Sequence, residues 1–222
     1  MNRVVDLLVS GVIVAIGFVG VLVTGLVLRV LRRRGPRRIV YLGTGRIAQV
    51  FPRNGVNLFL ERECSDFGGY FEQMWNVHFP AGTRGVLDLT PRHHLVDVDF
   101  PVHARLKLSA TVWREVRFLL WLLPFLARCR ASIVTATNPY LQGLNAALAS
   151  RLLGIPYAVI ITRDFDWDWT VLGKQAFRSV YPTRAIERAI GRRVLHHANL
   201  VLADRQYYRQ FAVRNEIGRA HV

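Results

Sequence analysis

Cysteine and lysine are nearly missing from this 222-residue chain. The two cysteines, Cys64 and Cys129, stand at no metal-ligand spacing. The sequence therefore carries no disulfide framework and fits a reducing compartment. Lysine occurs only at Lys107 and Lys174, so almost all positive charge is arginine. Acidic residues are scarce as well: 15 Asp+Glu face 30 Lys+Arg, a formal net charge of +15. Arginine suits bidentate phosphate contact, which admits anionic lipid, phosphorylated substrates or nucleic acid, while codon bias in a GC-rich genome explains the same excess. No nucleic-acid-binding motif accompanies the charge, so nucleic acid is not an expected partner. His78, His93 and His94 have no carboxylate or cysteine at ligand spacing beside them, and they read as solvated loop histidines with no metal.

Charge is absent altogether between Leu7 and Leu28. A helix over that run is long enough to cross about 30 Å of hydrocarbon. Arg3 precedes it, whereas Arg29, Arg32, Arg33, Arg34, Arg37 and Arg38 follow. The positive-inside rule then predicts a single-pass anchor in the inner (cytoplasmic) membrane, with the rest of the chain in the cytoplasm. A cleaved signal would have its positive charge in front and a small-residue cleavage site behind. Residues 4–28 are thus expected as the anchor, 29–37 as a basic juxtamembrane linker and 38–215 as one domain. Gly17, Gly20 and Gly25 permit close helix packing.

From Arg38 onward, strand-like and helix-like segments alternate, which predicts an α/β fold with a largely parallel, Rossmann-like sheet. The clearest unit spans Ala131 to Trp169. Ser132–Thr137 is a short β-branched run closed by Asn138-Pro139, and Leu141, Leu144, Leu148 and Leu152 then mark one apolar helix face. Gly154 stops that helix, Tyr157–Thr162 reads as a buried parallel strand, and Phe165–Trp169 reads as a loop rich in charge and rings. Ligands in such sheets sit outside the carboxyl ends of the strands, which places Asn138 and the Arg163–Asp168 cluster, with Asp164 and Asp166, at the expected site.

Earlier, Arg38–Leu42 reads as a strand followed by Gly43-Thr-Gly45-Arg46-Ile-Ala48. Formally this is G-x-G-x-x-A, whose glycines let backbone N–H groups approach a phosphate at a helix start. As a dinucleotide fingerprint it would also need an acidic residue about twenty positions on; Glu61 and Glu63 are available, but neither clearly ends a strand. Val112–Arg130 is a helix with an apolar segment too short to span, read either as core or as lying in the membrane interface. Thr183–His197 is a further helix, with Ile186, Ile190 and Val194 inward and Arg184, Arg188 and Arg192 towards water. Ala198–Ala203 is a strand, with Asp204 as N-cap of a last helix carrying Tyr207, Tyr208 and Phe211. Glu216–Val222 back-translates to the start of a common sequencing adapter, so residues 216–222 are expected to be an artefact and the natural chain to continue.

The order of these elements carries a resemblance. ASIVTATNPY, GLNAALASRLLGIPYAVIITRDFD and IERAIGRRVLHHANLVLADRQYYRQF, between Arg130 and Asn215, resemble the N-terminal, acceptor-side domain of family-4, GT-B glycosyltransferases. The resemblance implies sugar transfer from a nucleotide-sugar, with retention at the anomeric carbon and neither cofactor nor obligatory metal. The apolar N-terminus adds a membrane and a lipid-linked or cell-surface polysaccharide acceptor. Gly43, Gly45, Arg46, Asn138, Arg163 and Asp166 would contact acceptor or phosphate, and Asp164 would be the catalytic candidate. Where many relatives have a His before an Asp after the Gly-x-Pro strand, this chain has Arg163-Asp164; Arg cannot serve as a base near neutral pH, so it would bind phosphate or orient Asp164. The donor-binding half, with the family's paired glutamates, is not in this sequence, so the fragment is expected to be inactive alone. Two other readings stand beside this one: an NAD(P)-binding oxidoreductase using residues 43–48, and a non-catalytic anchored interaction domain. Asp164-Phe-Asp166-Trp-Asp168 also offers the Asp-x-Asp that holds a metal in GT-A enzymes.

Overall fold

The charge-free run folds as helix α1 (Arg3–Leu31). It leads to the sheet through Gly35, whose Cα lies against the Arg130 side chain. In the computed structural model the described residues are 3–31, 35, 37–44, 69–101, 107–177, 180–203 and 205–215. Gly45, Arg46, Ala48, the segment Asn57–Glu61, Glu63, Cys64 and Asp204 lie outside them.

Seven strands form one sheet: β1 (Arg38–Gly43), β2 (Gln73–His78), β3 (Gly85–Thr90), β4 (His93–Asp97), β5 (Ile133–Ala136), β6 (Tyr157–Ile161) and β7 (Leu200–Ala203). The order is β3-β4-β2-β1-β5-β6-β7. Every neighbouring pair is parallel except β3 with β4. The α/β, largely parallel expectation therefore holds. Strand β1 is central: Val40 faces Trp75 on one side and Val134 on the other. Val40 and Leu42 enter the main core, while Ile39 and Tyr41 pack on the opposite face with Met74 and Leu95. Burial on both faces is why β1 shows no polar alternation. Strand β3 escaped the sequence reading because its Val86 and Leu87 are both exposed at the sheet edge, leaving no buried stripe to detect.

Helix α2 (Lys107–Arg128) lies between the sheet and α1. Phe118, Leu119, Leu122, Leu123 and Leu126 are buried, which settles its role as a core helix. Each such side chain contributes roughly 1.5–3 kcal/mol on burial. Helix α3 (Leu141–Leu153) differs from its predicted face. Gln142, Ala146, Ala149 and Leu153 are buried, whereas Leu144, Leu148 and Leu152 are half-buried under neighbouring helices. The helix is covered on two sides, and its small residues take the tighter one. Gly143 shows how tight: a Cβ there would stand 2.8 Å from the Asn138 carbonyl oxygen and 2.8 Å from Val194 Cγ1. We expect Gly143→Ala to destabilise by about 1–3 kcal/mol despite alanine's better helix propensity, because a backbone oxygen cannot step aside. Urea titration of the variant checks this, and unchanged stability would show that the turn yields.

Two further expectations are corrected. Phe165–Trp169 is not loop but part of helix α4 (Phe165–Leu172), because Asp164 caps it by accepting from the Asp166 and Trp167 amides at 3.0 Å each. Gly173, at φ 61°, ends it in the left-handed conformation that glycine adopts without cost. Helix α5 (Arg184–His197) buries Glu187, Gly191, Val194 and Leu195, while Ile186 is exposed and Arg184 turns inward. An ion-pair network, described below, sets that face rather than hydrophobic periodicity. Helix α6 (Gln206–Arg214) closes the described chain, with Phe211 and Ala212 in the core.

Candidate functional site

The strand order reverses its direction of growth between β1 and β5, since β2 lies on one side of β1 and β5 on the other. A crevice opens at the carboxyl ends of strands at such a switch point. The chain has one there, a cavity of about 730 Å³. Thr44 reaches it from the end of β1, Thr137 and Asn138 from β5, and Thr162 and Arg163 from β6. Phe165, Asp168 and Lys174 close it from α4 and the segment behind it. Thr137 also donates from its hydroxyl to the Leu42 carbonyl, tying the two switch-point strands together at 3.2 Å.

The structure thus places Asn138, Arg163 and Asp168 on one cavity and adds Lys174, which sequence reasoning did not single out. The signal for Lys174 was its position after Gly173, the helix stop. Read as a loop, the run had no fixed faces, so its three carboxylates could not be told apart. On a helix, residues two apart point about 200° away from each other. Hence Asp168 lines the main cavity, while Asp166 turns to a second cavity of about 420 Å³ with Trp167, Arg188, Tyr207 and Arg214, which Asp164, the extended cap residue before the helix, also lines.

Each of the three carboxylates meets a different arginine. Asp168 lies 3.4 Å from Arg163 Nε, Asp164 pairs with Arg214 at 2.5 Å, and Asp166 pairs with Arg184 at 2.8 Å. Asp164 is buried and spends its oxygens on the α4 cap and Arg214. Burial works to raise the Asp166 carboxyl, but the Asn215 amide, then Arg188 and Arg184, outweigh it and hold it below the usual carboxylate range. Among the described residues no three His, Cys, Asp or Glu side chains cluster as a metal site.

Asn138 lines the cavity with its polar atoms already engaged. Its Oδ1 accepts from the Tyr140 amide at 3.1 Å and its Nδ2 donates to Gln142 at 2.6 Å; Gln142 in turn donates to the Phe79 carbonyl. Its side chain shapes the β5–α3 turn, and its contribution to a ligand is that shape. Gly43 ends β1, and a Cβ there would meet the His78 ring at 3.2 Å.

The histidines are corrected too: all three lie in strands and are half-buried rather than solvated in loops. His94 stacks on Trp75 at 4.0 Å and pairs with Asp88. His78 ends β2 beside Gly43, with Nδ1 3.7 Å from Asp97. Burial lowers its pKa against the opposing pull of Asp97, at the carboxyl end of the sheet where the cavity also lies.

With this geometry established, the chain can be set beside known proteins. Sucrose-phosphate synthase from Thermosynechococcus elongatus shares its fold at a TM-score of 0.54 and 8% identity. The likeness covers 83% of this chain and 46% of that one, so the present chain spans about half of the synthase. The likeness is one of fold. No family model matches the sequence, and no curated protein matches it.

The cavity offers two cations, Arg163 and Lys174, together with Thr44, Thr137 and Thr162 at the ends of three adjacent strands. Such a lining suits an anionic, hydroxyl-rich ligand. Asp168 is held by Arg163, so ligand phosphate drawing Arg163 away would free a carboxylate beside it.

Proposed function

We propose that this chain is the acceptor-side half of a membrane-associated glycosyltransferase that moves a sugar from a nucleotide-sugar to a lipid-linked or cell-surface polysaccharide acceptor. The observation that carries the reading is the cavity at the β1/β5 switch point, with its paired cations and hydroxyl lining. The shared fold with sucrose-phosphate synthase supports it, and so does the resemblance of residues 130–215 to the GT-B acceptor domain. In this reading Arg163 and Lys174 receive phosphate, Asp168 accepts from acceptor hydroxyls, and Gly43 keeps the β1 loop close to the ligand. Asp164 and Asp166 position α4 through Arg214 and Arg184. In this reading the nucleotide-sugar is held by a second, donor-binding half. The body faces the cytoplasm, on the side of the Arg29–Arg38 run.

The test uses the full-length protein with a panel of nucleotide-sugars and a polyprenyl-phosphate-sugar acceptor. Transfer should be seen with one donor class, and Lys174→Ala should weaken acceptor binding about tenfold, as expected for a charged hydrogen bond at a partly open site. Arg163→Ala should lose less, since this side chain is two-thirds exposed. No transfer with any donor, together with acceptor binding indifferent to both substitutions, would overturn the reading. Saturable NADH binding would favour the dinucleotide alternative instead.

A further inference from the structure

Helix α1 is built inside out. Its inward positions are Asp6, Ser10, Ile13, Gly17, Val21, Gly25 and Leu28, spaced by three or four residues. Most are small or polar. Ser10 and Asp6 hydrogen-bond Ser109 of α2, at 3.0 Å from the Ser10 hydroxyl. Gly17 admits Val116, and Gly25 admits Leu152 of α3; in both cases a Cβ would stand only 2.7 Å from the neighbour. The large apolar side chains point the other way. Leu8, Val12, Ile16, Val19, Val23 and Val30 are each more than half exposed. A helix folded against a body in water buries its large apolar residues and shows its small and polar ones. The reverse arrangement is the one found where hydrocarbon surrounds a helix pair.

Contacts pair Asp6 with Ser109, Gly17 with Val116 and Gly20 with Leu120, so α1 runs parallel to α2 along most of its length. A helix standing across a bilayer in this arrangement would draw α2 and α3 into the hydrocarbon with it. Arg117 of α2 and Arg151 of α3 would go with them, and a central arginine costs about 2.5–3.5 kcal/mol there even by the mildest scale. A helix lying in the plane of the membrane avoids that. It also sets a basic rim at one end: Arg29 packs beside Gly154 and Arg130 beside Gly35, while Arg128 and Arg151 are exposed nearby in the last turns of α2 and α3. Such a rim complements anionic headgroups.

We propose that α1 is an in-plane membrane anchor, docked on α2 and α3 by its small and polar stripe and sunk into one leaflet by its outer face. The apolar character of the outer face selects lipid as the occupant, and the arginine rim selects an anionic surface. The proposal does not depend on sugar transfer.

The experiment uses the full chain in a Cys64→Ala/Cys129→Ala background. Single cysteines at positions 8, 12, 16, 19, 23 and 30 carry a spin label, and the protein is bound to vesicles of phosphatidylcholine with about 30% phosphatidylglycerol, a composition that supplies the anionic surface. Oxygen and nickel-chelate accessibility report depth. The outward labels should lie at one similar shallow depth, and a label at inward position 17 should disrupt docking without moving the others outward. A profile deepest near position 19, with positions 8 and 30 towards opposite surfaces, would show a spanning helix and overturn the proposal. Failure to bind vesicles, with a stable dimer in solution, would overturn it in favour of a second copy on this face. As a second readout, Ile16→Lys/Val19→Lys should lower the fraction floating with these vesicles at least about tenfold, since charge on the lipid face is costly. Both positions point away from the body, so the fold should be retained. Unchanged flotation would count against the proposal.

Discussion

Replacing Arg184 by methionine is expected to cost about 3–5 kcal/mol, the range for breaking a buried pair by removing one partner. Glu187 is fully buried, with the Arg184 guanidinium 2.6 Å from one carboxylate oxygen and the Phe177 amide donating to the other at 2.6 Å. The same guanidinium reaches Asp166 at 2.8 Å, the Phe165 carbonyl at 3.1 Å and the Tyr140 hydroxyl at 3.1 Å. One side chain thus ties α5 to α4 and to the start of α3. Without it, Glu187 keeps its charge in the interior with an amide as its remaining partner. Thermal unfolding should fall by roughly 10 °C, taking about 2–4 °C per kcal/mol for a domain of this size. Arg184→Met with Glu187→Gln should recover much of the loss, because the stranded charge is gone. A single variant losing under about 1 kcal/mol would show that the pair behaves like a surface bridge.

The second large effect is one of pH. Glu115 of α2 is pushed up to about 7 from an ordinary value of 4.5, chiefly by burial, with Asn145 and then Arg114 pulling the other way. Its hydrogen bond from Asn145 is long at 3.4 Å, and among the described residues its other oxygen has no partner. Below pH 4.5 both folded and unfolded chains hold the proton and the shift costs nothing. Between 4.5 and 7 the unfolded chain ionises first, so unfolding releases a proton and stability falls as pH rises. Above 7 the penalty is constant, at about 3 kcal/mol for a shift of this size. Glu115→Gln should therefore match the parent at pH 4 and exceed it by about 3 kcal/mol at pH 8, measured by urea unfolding at each pH. An equal difference at both pH values would mean that packing, not ionisation, separates the two proteins.

How far the site was legible in advance depended on whether a feature is local. The strand ends that locate the cavity, Thr137-Asn138 and Thr162-Arg163, follow from short β-branched runs closed by turn residues, so the region of the site was visible in the chain. Which carboxylate faces the cavity was not. That choice rests on Asp164 capping α4, which converts a presumed loop into a helix and rotates Asp166 and Asp168 to opposite sides. A run of aspartates and tryptophans has poor intrinsic helix propensity, and the cap and the Arg184 contacts override it.

By itself the sequence determined the α/β class, the central β5–α3–β6 unit and the apolar length of α1, because each rests on composition or on periodicity within a few turns. The tertiary structure alone decided that Arg184 points inward, that Glu115 is half-buried with one long hydrogen bond, and that α1 turns Gly17, Gly25 and Ser10 towards the body. Those outcomes depend on groups brought together from distant parts of the chain, Asp6 with Ser109 and Asp166 with Arg184 among them. Local propensity carries no information about which distant charge or surface a residue will meet.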